Sequence, residues 1–120
     1  MIVQPIPNGQ PTFGYKWHVK TKYLKGQLPT VKVDVSGRKL TPKNVTCDHI
    51  KPASKGGRTI DSNLMLATKE FNQLRGNKPL KDFITVQGLA KYLSQFIDVK
   101  VGEFLGNEYI ASVLKTLRKE

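Results

Sequence analysis

Between Asn44 and Pro79 the chain is punctuated in an order that few folds accommodate. NVTCDHI, residues 44–50, is β-prone and stops at Lys51-Pro52. ASKGGRTIDSN then has the Gly, Ser and Asp content of a loop, with Gly56-Gly57 giving it backbone freedom. Leu64 to Ala67 is a short apolar run suited to a returning strand. Thr68 stands where a helix cap belongs, Glu70 falls in the first turn that follows, and Gly76 and Pro79 stop the helix. The spacing predicts strand, loop, strand, helix.

The flanks are read from the same physics. Residues 1–14 contain Pro5, Pro7, Gly9, Pro11 and Gly14, which predicts an extended arm. YKWHVKTKYLKG, residues 15–26, interleaves aromatic rings with lysines, offering stacking faces and phosphate partners, a pattern that edge strands share. Val31, Val33 and Val35 alternate with Lys32 and Asp34, the period of a half-buried strand, and Ser36-Gly37 turns it towards a hairpin with 38–40. Beyond Pro79, Val86, Leu89, Ala90, Leu93 and Ile97 recur at helical spacing. So do Ile110, Val113, Leu114 and Leu117, behind Asn107 as a cap. Two amphipathic helices should complete the core of one 120-residue α+β domain, with 1–43 a basic arm and hairpin, 44–79 the central unit and 80–120 helical.

Charge narrows the partner. Twenty Lys and Arg against nine acids give a formal net charge of +11, which favours a polyanion over an acidic small molecule. Residues 1–45 hold eight of those cations and one acid, so the positive footprint is expected mainly on the N-terminal side. One cysteine, Cys47, excludes an internal disulfide framework and a four-thiolate zinc site, and a lone thiol fits a reducing, cytoplasmic setting. No stretch approaches the apolar length of a membrane span and the first residues lack an export pattern, so no membrane partner is expected.

Phosphodiester hydrolysis needs a base for water, a cation for the charge on the phosphate and leaving oxygen, and a scaffold for both. His49 is the one histidine in the central unit, and an imidazole can act as a neutral base near physiological pH. Asp48 and Asn72 offer oxygens, which suit magnesium or manganese. Asn72 and Arg75 lie three apart on one helix face, which brings Arg75 within reach of a phosphate, while Phe71 and Leu74 form an apolar stripe. Consecutive strand residues point to opposite faces, so the strand must end, twist or bulge at Asp48-His49 if both serve one site.

DHIKPASKGG, then DSNLMLA, then NQLRGNKP resembles the HNH nuclease family, whose fold is the ββα-metal unit, a β-hairpin with a metal-binding helix. His49 precedes Asn63 by fourteen residues and Asn63 precedes Asn72 by nine, similar to the HNH domain of RNA-guided nucleases. The resemblance covers Cys47 to Lys78 and implies His49 as general base, Asn63 as the residue that holds the loop and the histidine in place, Asp48 and Asn72 as metal ligands, and Arg75 as the basic group after the last ligand. Asn72 stands where many members carry histidine, which favours Mg2+ or Mn2+ over Zn2+ or Ni2+. The paired CxxC motifs of many members are absent here.

The function expected is a metal-dependent endonuclease cutting double-stranded DNA. Lys16, Trp17, Lys20, Lys22, Lys51, Lys55, Arg58 and Lys78 are its candidate nucleic-acid contacts. The N-terminal arm, a homodimer or an accessory protein would supply sequence selectivity. A catalytically idle nucleic-acid-binding module and an RNA-directed nuclease are the alternatives.

Overall fold

The computed structural model describes residues 18–101 and 104–119, with the side chains at 100 and 101 left aside. The extended arm expected over 1–14, together with Lys16 and Trp17, lies outside them.

The central unit forms β1 (Val45–His49) and β2 (Leu64–Thr68), antiparallel with Val45 opposite Thr68 and His49 opposite Leu64. Helix α2 (Lys69–Arg75) follows without a linker, because Thr68 is both the last strand residue and the helix cap: its Oγ1 accepts from Phe71 N at 3.2 Å. Gly76, at φ +59, ends the helix. All five residues of β2 are buried, which explains why this strand reads as an apolar run and not as an alternation.

A two-stranded sheet leaves an unpaired edge, and buried backbone groups there must find partners. On β2 the alternate residues do so through side chains. Leu66 N donates to the Tyr92 hydroxyl at 2.9 Å, the Tyr109 hydroxyl donates to Leu64 O at 2.7 Å, and the two hydroxyls are 3.0 Å apart. Tyr109 has one proton and gives it to Leu64, so Tyr92 donates to Tyr109. Thr68 N donates to Asp34 Oδ2 at 2.8 Å. Tyr92 and Tyr109 come from helices α3 (Val86–Ser94) and α4 (Gly106–Arg118), so these helices complete the sheet as well as the core.

Several local expectations are corrected. The aromatic basic segment forms helix α1 (Val19–Leu24), which packs on both strands, and is neither arm nor edge strand where described. Val31–Val35 turns back on 38–40 as expected, through the antiparallel bridge Val33 to Lys39 and the bonds from Asp34 N to Arg38 O at 2.8 Å and from Leu40 N to Lys32 O at 2.9 Å, but it does not extend into a strand. Asp34 is 1% exposed, and its Oδ1 receives Ser36 N, the Ser36 hydroxyl and Arg38 N, so the segment wraps around a carboxylate where a flat strand was expected. Val86, which opens α3, is 81% exposed and Ile97, beyond its end, 53%, while Tyr92 and Leu93 on the helix and Phe96 just after it are buried. The larger rings win the core-facing side because they remove more apolar area from water. Leu74 is exposed and Phe71 alone anchors α2. Asn107 does not cap α4, which begins one residue earlier at Gly106, where a Cβ would lie 1.5 Å from Phe96 O. The ribbon of β3 (Lys100–Val101) and β4 (Phe104–Leu105) leads into that helix.

Candidate functional site

The β1-facing side of α2 makes two rungs with β1. Asn72 Nδ2 donates to Thr46 Oγ1 at 3.1 Å, and Arg75 Nη1 donates to Asp48 Oδ2 at 2.9 Å. Positions 46 and 48 share a strand face and positions 72 and 75 share a helix face, so the two periodicities match. Thr46 in turn donates to Ala67 O at 2.9 Å, which ties the first rung to β2.

Arg75 is fully buried, which corrects the expectation that it reaches a phosphate. Its Nε donates to Lys78 O at 2.8 Å, Nη2 to Ile50 O at 2.6 Å, and Nη1 also to the His49 carbonyl. The planar guanidinium therefore grips the chain where β1 ends, and β1 does end at His49. Burial pushes the Asp48 carboxyl up from its usual value, while the Arg75 charge beside it pulls the other way.

Asn63 closes the loop after the strand. Its Oδ1 accepts from Lys51 N at 2.8 Å, and its Nδ2 donates to Lys51 O at 3.1 Å and Arg58 O at 2.9 Å, while Asn63 O accepts from Ile50 N at 2.8 Å. Gly57 lets the loop close this tightly, since a Cβ there would lie 1.8 Å from Lys51 O. The closed loop carries Thr59, whose Oγ1 lies 2.9 Å from His49 Nε2.

Sequence reasoning missed Thr59, because a loop threonine has no spacing signal. His18, outside the central unit, lies just before α1 with its Nε2 3.5 Å from Cys47 Sγ. Burial lowers the His18 pKa, and the charges of Lys20 and His49 lower it further. Burial pushes the Cys47 thiol up to about 12, which keeps it unreactive.

Among the candidate nucleic-acid contacts, Lys51, Lys55, Arg58 and Lys78 are exposed and Lys20 is partly so. Lys22 is only 8% exposed in α1, which leaves little of it for a phosphate.

The oxygens of Asp48 and Asn72 fit a hard divalent ion. Asn72 commits its amide N–H to Thr46, leaving Oδ1 as an acceptor, and an ionised carboxylate has about four lone-pair sites, of which Arg75 engages one. Oxygen donors of this kind suit hard ions such as Mg2+ or Mn2+. Among the described residues no cluster of three or more His, Cys, Asp or Glu side chains converges as a metal site.

No protein-family model, curated protein or solved structure matches this chain. None of the helices among the described residues is long and apolar enough to cross a membrane.

Proposed function

We propose that this chain is a metal-dependent endonuclease of the HNH type, built on a ββα-metal unit and hydrolysing DNA phosphodiester bonds with His49 as general base. The observation that carries the reading is the pairing of His49 with a clamped loop. Asn63 closes residues 51–63 with three side-chain hydrogen bonds, and that loop supplies Thr59 to one ring nitrogen of His49.

With Nε2–H donated to Thr59, a neutral His49 ring carries its lone pair on Nδ1, and this atom takes the proton from the attacking water. Thr59 holds the ring plane, and its hydroxyl accepts from Nε2–H in the tautomer that leaves Nδ1 free as the base. Asp48 and Asn72 would hold the ion, which when bound would stabilise charge on the phosphate and the leaving oxygen. Arg75 is a positioning residue: it binds Asp48 and the carbonyls of His49, Ile50 and Lys78 and does not touch substrate. Lys51, Lys55, Arg58 and Lys78 contact the phosphate backbone.

One observation favours a second reading. Arg75 already pairs with Asp48, so the carboxylate has a cationic partner without any ion, as a nucleic-acid-binding module that does not cut would require.

Incubating wild type and His49→Ala with supercoiled plasmid, with and without Mg2+ or Mn2+, separates the readings. Metal-stimulated nicked or linear product from wild type alone supports the nuclease and its base. Equal cutting by both rejects His49 as base, and plasmid bound but uncut by wild type supports the binding module.

A further inference from the structure

The resemblance to a nuclease concerns residues 47–78, yet a positive groove on the described surface is assembled partly outside them. A groove of about 290 Å³ is lined by Lys51, Pro52, Lys55, Pro79, Lys81 and Lys119. A second groove of about 320 Å³ shares Lys51 and Lys119 with it and adds Arg58 and the Gly56-Gly57 turn. The two share a lip and together are lined, among the described residues, by five cations and no carboxylate, although only Lys51, Lys55 and Arg58 are close in sequence.

All five are exposed. Among the described residues the ion pairs are Arg38 with Glu70 and Arg75 with Asp48, so no carboxylate neutralises the groove. Five uncompensated cations in one concavity repel each other, and this cost is relieved by an anion with charges at several points. The groove sits at the carbonyl end of α4, whose dipole contributes only about half a negative charge there. The cations therefore set the sign of the potential.

The groove is also fixed to the candidate site. Thr116 in the last turns of α4 donates its hydroxyl to Ser62 O, next to Asn63, and so locks the end that carries Lys119 onto the clamped loop. Lys51, the shared lip, is two residues from His49, and its backbone N–H and C=O are both held by Asn63.

We infer that Lys81 and Lys119, with Lys51, Lys55 and Arg58, form a phosphate-backbone track that holds a nucleic-acid duplex beside His49. The inference rests on the nuclease reading only for the identity of the polyanion. The track explains how the C-terminal third, with six cations and five acids in its sequence, still contributes to binding: tertiary packing collects two of its lysines at one place.

The experiment measures fluorescence anisotropy of a labelled DNA duplex with full-length protein over a salt series. Lys81→Ala/Lys119→Ala should weaken binding about tenfold near physiological salt and flatten the slope of log affinity against log salt by about 2, one unit for each phosphate no longer neutralised. Lys32→Ala/Lys91→Ala removes the same charge from exposed residues that do not line the groove and should leave both quantities nearly unchanged. Equal losses in the two double variants, or no loss in the first, overturn the track. So does unchanged duplex binding with lost binding to phosphatidylserine vesicles, which would assign the groove to a lipid surface. Binding is read without cleavage, so a wild type that binds through the groove but leaves plasmid uncut sinks the nuclease reading and keeps the track. A groove variant that binds and cuts like an active wild type sinks the track alone.

Discussion

Arg75 Nη1 lies 2.9 Å from Asp48 Oδ2, and the arginine side chain has no exposure to solvent. The pair joins the fourth residue of β1 to the last residue of α2, and the same guanidinium binds the His49 and Ile50 carbonyls. The residue that sequence reasoning assigned to a phosphate instead holds the end of β1 in shape.

Removing it should therefore destabilise the fold, beyond any effect on substrate affinity. Arg75→Met leaves a buried carboxylate unpaired, and about 3–5 kcal/mol is expected from urea denaturation at neutral pH. Burial already raises the Asp48 carboxyl, so in the variant the folded state holds that proton more tightly than the unfolded chain. Stability is then fuller at low pH and lost as pH rises, and the penalty should shrink on acidification. Asp48→Asn/Arg75→Met should recover part of the loss.

Asp61 predicts a second pH dependence. It lines a cavity of about 450 Å³ with Glu108 and Tyr109 of α4, and burial pushes its carboxyl up to about 7 from 3.8. A carboxyl raised on folding favours the native state while protonated, so its contribution is present below about pH 4 and lost as pH rises to about 7. Thermal melts should show Asp61→Asn gaining on wild type across that window and holding a constant lead above it.

Asn63 has both ends of its amide in use, which makes its two substitutions distinguishable. Asn63→Ala strands the Lys51 N–H and the Lys51 and Arg58 carbonyls, at a cost of about 2–4 kcal/mol. Asn63→Asp keeps the acceptor for Lys51 N but sets a carboxylate against two carbonyls. Its melting temperature should fall at neutral pH and recover partly on acidification.

Thr59 should affect rate more than affinity. Thr59→Val removes the hydrogen bond that orients the His49 ring, a bond whose net worth of about 0.5–1.5 kcal/mol corresponds to about a two- to tenfold fall in kcat. KM should hold steady, and the pH–rate profile should shift because the base loses its partner. An unchanged profile would remove Thr59 from the mechanism.

Gly57 and Gly37 test the loop against an ordinary turn. Gly57→Ala drives a methyl into the Lys51 carbonyl, so the loop must open, with a cost on the order of 1–3 kcal/mol and a loss of cleavage. At Gly37, φ is +90 with nothing within 4 Å, so alanine costs roughly 1–2 kcal/mol of strain and leaves cleavage intact.

The sequence by itself determined what depends on neighbours along the chain. The end of β1 before Pro52, the Thr68 cap, the stop at Gly76 and the apolar β2 rest on backbone preferences and capping bonds spanning three or four residues, and all four stand in the structure. What tertiary structure decided depends on partners that sequence distance conceals. Asp34 read as the solvent side of a strand and is buried because Thr68 N, thirty-four residues away, needs an acceptor. Lys22 read as a phosphate contact and is covered by the packing of α1. Arg75 read as a phosphate contact and is consumed by four protein acceptors, because the end of β1 leaves two carbonyls and a carboxylate, and the turn after α2 a third carbonyl, that one buried guanidinium satisfies together. Periodicity reports which way a side chain points, but burial depends on the unmet hydrogen bonds it finds there, and those exist only once the elements have packed.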